Sequence, residues 1–137
     1  MEMKDFNAQV VEEFRANGGK VSMFDYPLII LHTKGRKTGD VHLVPLGLSP
    51  SDDGEIYLYG TFVGSKTDPA WVLNLRANPD IDVELADETY AANLEELSGA
   101  PAESRLEAMC AFSDQFAEYV TKAAPRIIPV FKVNRAD

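Results

Sequence analysis

Lys34, Gly35, Arg36, Lys37, Thr38 and Gly39 gather three cations, a hydroxyl and two glycines into six consecutive residues. Such a segment suits an anion, a phosphate above all. Glycines let successive backbone N–H groups converge on one point, and the threonine hydroxyl adds a donor. Arginine offers phosphate oxygens a fork of donors, while lysine acts as a point charge. The segment is not a Walker loop, which needs glycine immediately before lysine and a helix after it. Here Arg36 precedes Lys37, and the apolar run Val41–Leu48 follows. The same composition also fits a solvated hairpin tip, because charged glycine turns are common. The turn by itself leaves both readings open.

Other residues with chemical potential read more plainly. His32 and His42 flank the turn on neighbouring apolar runs. Two imidazoles without a nearby acid fall short of the three or four ligands of a zinc site, so no metal is expected. His42 instead suits a donor to a ligand phosphate. Asp52-Asp53-Gly54 lacks the rest of a calcium loop and reads as a turn. Cys110 has no cationic neighbours in sequence to activate it, and as the single cysteine it excludes an internal disulfide.

The elements that must position these residues follow from periodicity. Phe6, Val10 and Phe14, widened by Val11, predict a helix over 4–17, stopped by Asn17-Gly18-Gly19. Residues 28–33 predict a buried strand and 41–48 a second one, bulged or at an edge at Pro45. After the polar turn Ser49–Gly54, Glu55–Val63 predicts a third strand. Asp68 and Pro69 read as the N-cap and first residue of a short helix ending near Ala77. Ile81–Leu85 and Thr89–Leu97 alternate as a hairpin joined by Ala86–Glu88, with Tyr90, Ala92 and Leu94 inward. Pro101–Ala123 predicts one long helix, and Ile127–Val133 a last strand. This order predicts an α+β fold: six mostly antiparallel strands in a small barrel or curved sheet, with the helices to one side.

The totals set bounds. At 137 residues the chain fits a single domain, 1–137. A net charge of −9 argues against nucleic acid as a partner and against charge-driven lipid binding. Charge is unevenly spread: Arg15, Lys20, Lys34, Arg36 and Lys37 face one acid, Asp25, between residues 15 and 38. Between residues 80 and 107 nine acids face one base, Arg105. No signal peptide or membrane-spanning run is evident, so a soluble cytoplasmic protein is expected, monomeric or homodimeric, with at most peripheral membrane contact.

Beyond the turn, Val44-Pro45-Leu46 and the stretch from Asp68-Pro69-Ala70-Trp71 to Asn78-Pro79 resemble the deazaflavin-dependent nitroreductase family. Phe14-Arg15-Ala16-Asn17-Gly18-Gly19 and Arg126-Ile127-Ile128-Pro129-Val130 extend the likeness over nearly the whole chain. The resemblance implies a split β-barrel that binds coenzyme F420, a deazaflavin with a phosphate and an acidic tail. It implies hydride transfer from F420H2 to a small activated acceptor: an enone, quinone or nitroaromatic. By the same likeness, Arg36, Lys37 and Thr38 would hold the phosphate, and Gly35 and Gly39 would shape the turn. Val44 and Pro45 would face the ring. Thr61, Phe62, Val63 and Gly64 would line the other side, and Trp71 and Asn74 would build a wall. Tyr119 would contact or protonate the substrate; its plain alternative is an aromatic at the core edge. His42 and Phe62 stand where the family commonly has Arg and Lys, and Lys66 is the nearby substitute. Those departures leave FMN as an alternative cofactor, and a non-catalytic carrier of F420, flavin or an aliphatic molecule as an alternative function.

Overall fold

The computed structural model describes residues 3–24, 26–49 and 51–136. Asp25, in the basic stretch, and Pro50, in the polar turn, lie outside them. In chain order the elements are α1 (Met3–Ala16), β1 (Leu28–Lys34), β2 (Val41–Gly47), β3 (Ile56–Tyr59), a 3-10 turn (Phe62–Gly64), α2 (Ala70–Ala77), β4 (Asp80–Leu85), β5 (Glu88–Leu97), α3 (Ala100–Phe112), α4 (Asp114–Ala123) and β6 (Val130–Arg135).

The strands form one antiparallel sheet in the order β2-β1-β4-β5-β6-β3. Strands β2 and β3 follow one another in sequence yet lie at opposite edges. The curled sheet is therefore a split barrel, and its two edge strands flank the split. Pro45 pairs with Ile30 in an unbroken register from Leu28↔Gly47 to Lys34↔Val41. The proline is thus tolerated by an edge strand rather than by a bulge.

β1 explains why its sequence is almost continuously apolar. Ile29 and Leu31 enter the barrel core with Leu58, Val83, Leu94 and Phe131. Leu28 and Ile30 face outward, beneath Val10, Val11 and Phe14 of α1. The predicted stripe of α1 is therefore the face that covers the sheet. Phe14 is 1% exposed, and truncating such a side chain to alanine costs about 3–5 kcal/mol. The helices do not share one side. Val72 and Leu75 of α2 close the barrel interior, whereas Met109, Phe116 and Ala123 of α3 and α4 pack around Ile128 and Tyr59.

Three predicted elements differ. The third strand ends at Tyr59 because Phe62, Val63 and Gly64 all have positive φ (45°, 46° and 78°), which no strand accommodates. The last strand begins at Val130; Ile127 before it is 78% exposed. The long helix is broken at Ser113, whose φ and ψ of −137° and 117° are extended. Its backbone N–H closes α3 by donating to the Met109 carbonyl, and its hydroxyl caps α4 by accepting from the Phe116 N–H at 3.2 Å.

Candidate functional site

The split between the edge strands opens into a groove of about 710 Å³. β2 contributes His42, Val44, Pro45 and Leu46; β3 and the loop after it contribute Tyr59, Thr61 and Phe62. α2 supplies Trp71 and Asn74, and the cationic turn closes one end with Gly35, Arg36, Lys37 and Thr38. Edge strands leave backbone N–H and C=O groups unpaired, so both walls present polar backbone beside apolar side chains.

The turn is built, not loose. The Gly35 N–H donates to the Asp40 carbonyl and the Gly39 N–H to the Gly35 carbonyl, each at 2.8 Å. Gly39 sits at φ 78°, where a side chain is strained. A Cβ on Gly35 would lie 3.2 Å from Thr38 Oγ1 and 3.3 Å from His42 Nε2. Asn74, 7% exposed, is the anchor. Its Oδ1 accepts from the Arg36 backbone N–H at 3.1 Å and from Arg36 Nη1 at 2.9 Å. Asn78 Nδ2 donates to the Lys34 carbonyl at 3.3 Å, so Asn74 of α2 and Asn78, the residue that caps its end, fix the turn. Arg36, Lys37 and Thr38 remain exposed. The donor set, two cations and a hydroxyl on a braced backbone turn, fits a phosphate.

The structure thus gathers most of the sequence-derived site: Gly35, Arg36, Lys37, Thr38, His42, Val44, Pro45, Thr61, Phe62, Trp71 and Asn74 all line one groove. Gly39 shapes the turn from outside the groove. Val63 and Gly64 turn away from it, with Gly64 against Lys122 and Tyr119. Lys66 also lies away, its ammonium donating to the Lys122 carbonyl at 2.7 Å and to the Ala124 carbonyl. Helix-end carbonyls attract a cation, and that is where this one is spent. Tyr119 lines an adjoining cavity of about 440 Å³ with Met109, Phe112 and Phe116. The two cavities share Leu46, Tyr59 and Thr61.

Asn7, Thr33, Leu46, Tyr59, Pro69 and Ala70 also line the groove and were missed. Leu46 alternates with Val44 on one strand face, a signal that was there to be used. Asn7 reaches the site only because α1 packs across β2, which nothing local announces. Burial raises the Tyr59 pKa above its ordinary value.

His32 is a satisfied structural residue. Its Nε2 lies 2.7 Å from Glu84 Oε2, and Arg15 grips the same carboxylate through Nε and Nη2 at 2.9 and 2.7 Å. Arg15 holds the Glu84 carboxyl below the usual range, with His32 adding to the effect. Arg15 is therefore committed to Glu84 and not to the groove. Among the described residues no cluster of His, Cys, Asp and Glu could hold a metal ion, and no helix is long and apolar enough to cross a membrane. Asp68 is not a cap either. Pro69 occupies the cap position, and Asp68 accepts from Arg76 Nη1 at 2.9 Å and Arg126 Nη1 at 2.7 Å.

Fold and site together define an antiparallel split barrel with a braced cationic turn at one end of a groove between its edge strands. The family model described as F420H(2)-dependent quinone reductase matches residues 6–134, and the chain belongs to that family. Over 65 residues it is 32% identical to an F420H(2)-dependent quinone reductase of Mycobacterium tuberculosis (strain H37Rv) and to a putative one of Mycobacterium bovis. That stretch is 47% of this chain and 42% of either relative, so the match spans less than half of the curated proteins. A solved F420-H2 dependent reductase (FDR-A) is 30% identical with a TM-score of 0.68, covering 84% of this chain and all of its own. A structure described as a domain-swapped dimer is 28% identical with a TM-score of 0.69, covering 97% and 100%. The Vibrio cholerae protein HutZ, at 13% identity and a TM-score of 0.52, shares the fold alone.

Proposed function

We propose that this chain binds coenzyme F420 in the split and delivers hydride from its reduced form to an activated acceptor of the quinone class, with enones and nitroaromatics as further acceptors. The observation that carries this is the docking of the cationic turn by Asn74 at the end of a groove walled by two strand edges. Arg36, Lys37 and Thr38 would hold the phosphodiester. Val44 and Pro45 would meet the ring with backbone groups, against Trp71 and Phe62. Bound there, the cofactor supplies a two-electron hydride donor whose reactive position is a carbon. The chain's own part is to orient the ring, cover one face and leave the other open toward the adjoining cavity.

His42 and Phe62 in place of further cations, with Lys66 tied to α4, leave the acidic tail with fewer partners. Those positions are also what favours a second reading, FMN in the same groove or a carrier without turnover. Parallel fluorescence titrations with F420 and FMN decide. Micromolar affinity for F420 with none for FMN is expected, and no F420 binding sinks the proposal. F420 binding without oxidation of F420H2 across a panel of quinones, enones and nitroaromatics means a carrier. Light scattering on the purified chain distinguishes a monomer from a dimer such as the solved relative forms.

A further inference from the structure

We infer that the Tyr59 hydroxyl donates a hydrogen bond to the acceptor oxygen that becomes negatively charged when hydride arrives, an inference that rests on the deazaflavin reading above. The groove that holds the cationic turn and the cavity beside it meet at Leu46, Tyr59 and Thr61. An acceptor entering from the adjoining cavity meets the cofactor groove at this wall. Leu46 has no polar side-chain atom to offer, so a polar side-chain contact there comes from Tyr59 or Thr61.

Tyr59 lines both cavities. Its hydroxyl makes no hydrogen bond within the described chain, and no buried side-chain oxygen or nitrogen there lacks a partner. The phenol oxygen therefore keeps access to solvent. The ring is held edge-on by Phe116, with centroids 5.3 Å apart and planes at 79°. Phe116 is in turn fixed at the start of α4 by the Ser113 cap. A donor with its ring locked and its tip free is preorganised for a ligand. Tyr119 lines only the cavity farther from the turn.

The electron count places the need for such a donor. Hydride carries two electrons and one hydrogen nucleus to the acceptor, and the resulting negative charge settles on a carbonyl oxygen. A proton from water in the open groove then completes the hydroquinone, or the saturated ketone. Tyr59 is unchanged overall: it lowers the energy of the oxyanion by hydrogen bonding. Its burial favours the protonated phenol, so the donor is present at neutral pH. Thr61, an aliphatic alcohol, is a much weaker acid and a weaker donor to an oxyanion.

The inference is tested first without cofactor. The full chain is titrated at pH 8 with 4-nitrophenolate, a planar aromatic oxyanion, and with 4-nitroanisole, its uncharged counterpart. Tyr59→Phe is expected to weaken phenolate binding about tenfold and to leave the anisole within about twofold, the range for losing one donor to a charged oxygen. With F420H2 and a benzoquinone, kcat/KM is expected to fall by a similar factor, and by more than the F420 affinity does. Equal phenolate affinities in Tyr59→Phe and the parent overturn the inference. So does a loss carried by Thr61→Val or Tyr119→Phe instead. Failure of the parent chain to bind F420 removes the underlying reading, and with it the role assigned to Tyr59. The cofactor-free titration tells the two failures apart.

Discussion

At the scale of single residues, the site depends on how a few cations are committed. Arg36 and Lys37 stay exposed at the groove, while Arg15, Lys66 and Arg126 are held by Glu84, by helix-end carbonyls and by the 60–68 loop. If the turn holds phosphate, Arg36→Ala combined with Lys37→Ala should weaken F420 binding at least tenfold, about 1.4 kcal/mol. An unchanged Kd in a fluorescence titration would mean the turn is only a hairpin tip. The Arg15–Glu84–His32 cluster makes a separate prediction, about stability. Glu84 is held below its ordinary value of 4.5, chiefly by Arg15. Its contribution is therefore fully present above about pH 4.5 and is lost as pH falls through the lower folded-state value. Urea midpoints measured from pH 7 to pH 3 should drop in that acid window, and Glu84→Gln should be weaker at pH 7 with a flatter acid limb. Parallel curves for the two proteins would show that another carboxylate sets the acid sensitivity.

At the scale of elements, the break between α3 and α4 shapes the adjoining cavity. Ser113 belongs to the lining, and its hydroxyl starts the helix that carries Phe116 and Tyr119. Ser113→Ala should cost about 1 kcal/mol, as lost caps do, measured as a lower midpoint in denaturant. A change within error would mean that packing of Phe116 alone starts α4. This break was written in the sequence as Ser113-Asp114, a cap followed by an acid in the first turn. The apolar stripe running across it, Met109 to Phe116, hid it. The alternation of β4 and β5 and the stripe of α1 were fully legible, because each is a local pattern that one packed face imposes. The early end of β3 was only half legible: Gly60 and Gly64 bracket the turn, but the positive φ falls also on Phe62 and Val63, residue types that do not announce it. Most of the groove was legible through the turn and its resemblance. Tyr59 was not, because β2 and β3 meet across the split only after four other strands have curled the sheet.

At the scale of the whole molecule, one side chain joins the parts that form the groove. Arg126, just ahead of β6, donates to the carbonyls of Gly60, Thr61 and Ser65 at 3.0, 2.8 and 2.8 Å. It also pairs with Asp68 at 2.7 Å, and its side chain is 10% exposed. Asp68 is shared with Arg76 of α2, which reaches Glu96 of β5 through Nε and Nη2. The chain of contacts thus runs from β6 through the 60–68 loop and α2 to β5. Lys66 adds a second clasp from the loop to the end of α4. The loop needs both, because β3 is only four residues long and pairs with β6 alone. Its backbone also carries two non-glycine residues in the left-handed region, at a cost of about 1–2 kcal/mol each. Arg126→Met would keep much of the apolar volume but leave three carbonyls and a carboxylate without this donor. The expected loss is about 3 kcal/mol or more, on the order of 10 °C in Tm. Because Thr61 and Phe62 wall the groove, F420 affinity should fall in the same variant, and amide exchange should speed up across residues 60–68 before it does so in β4 and β5. If exchange rose uniformly instead, Arg126 would support the barrel as a whole, and the loop would not be a separately held wall of the site.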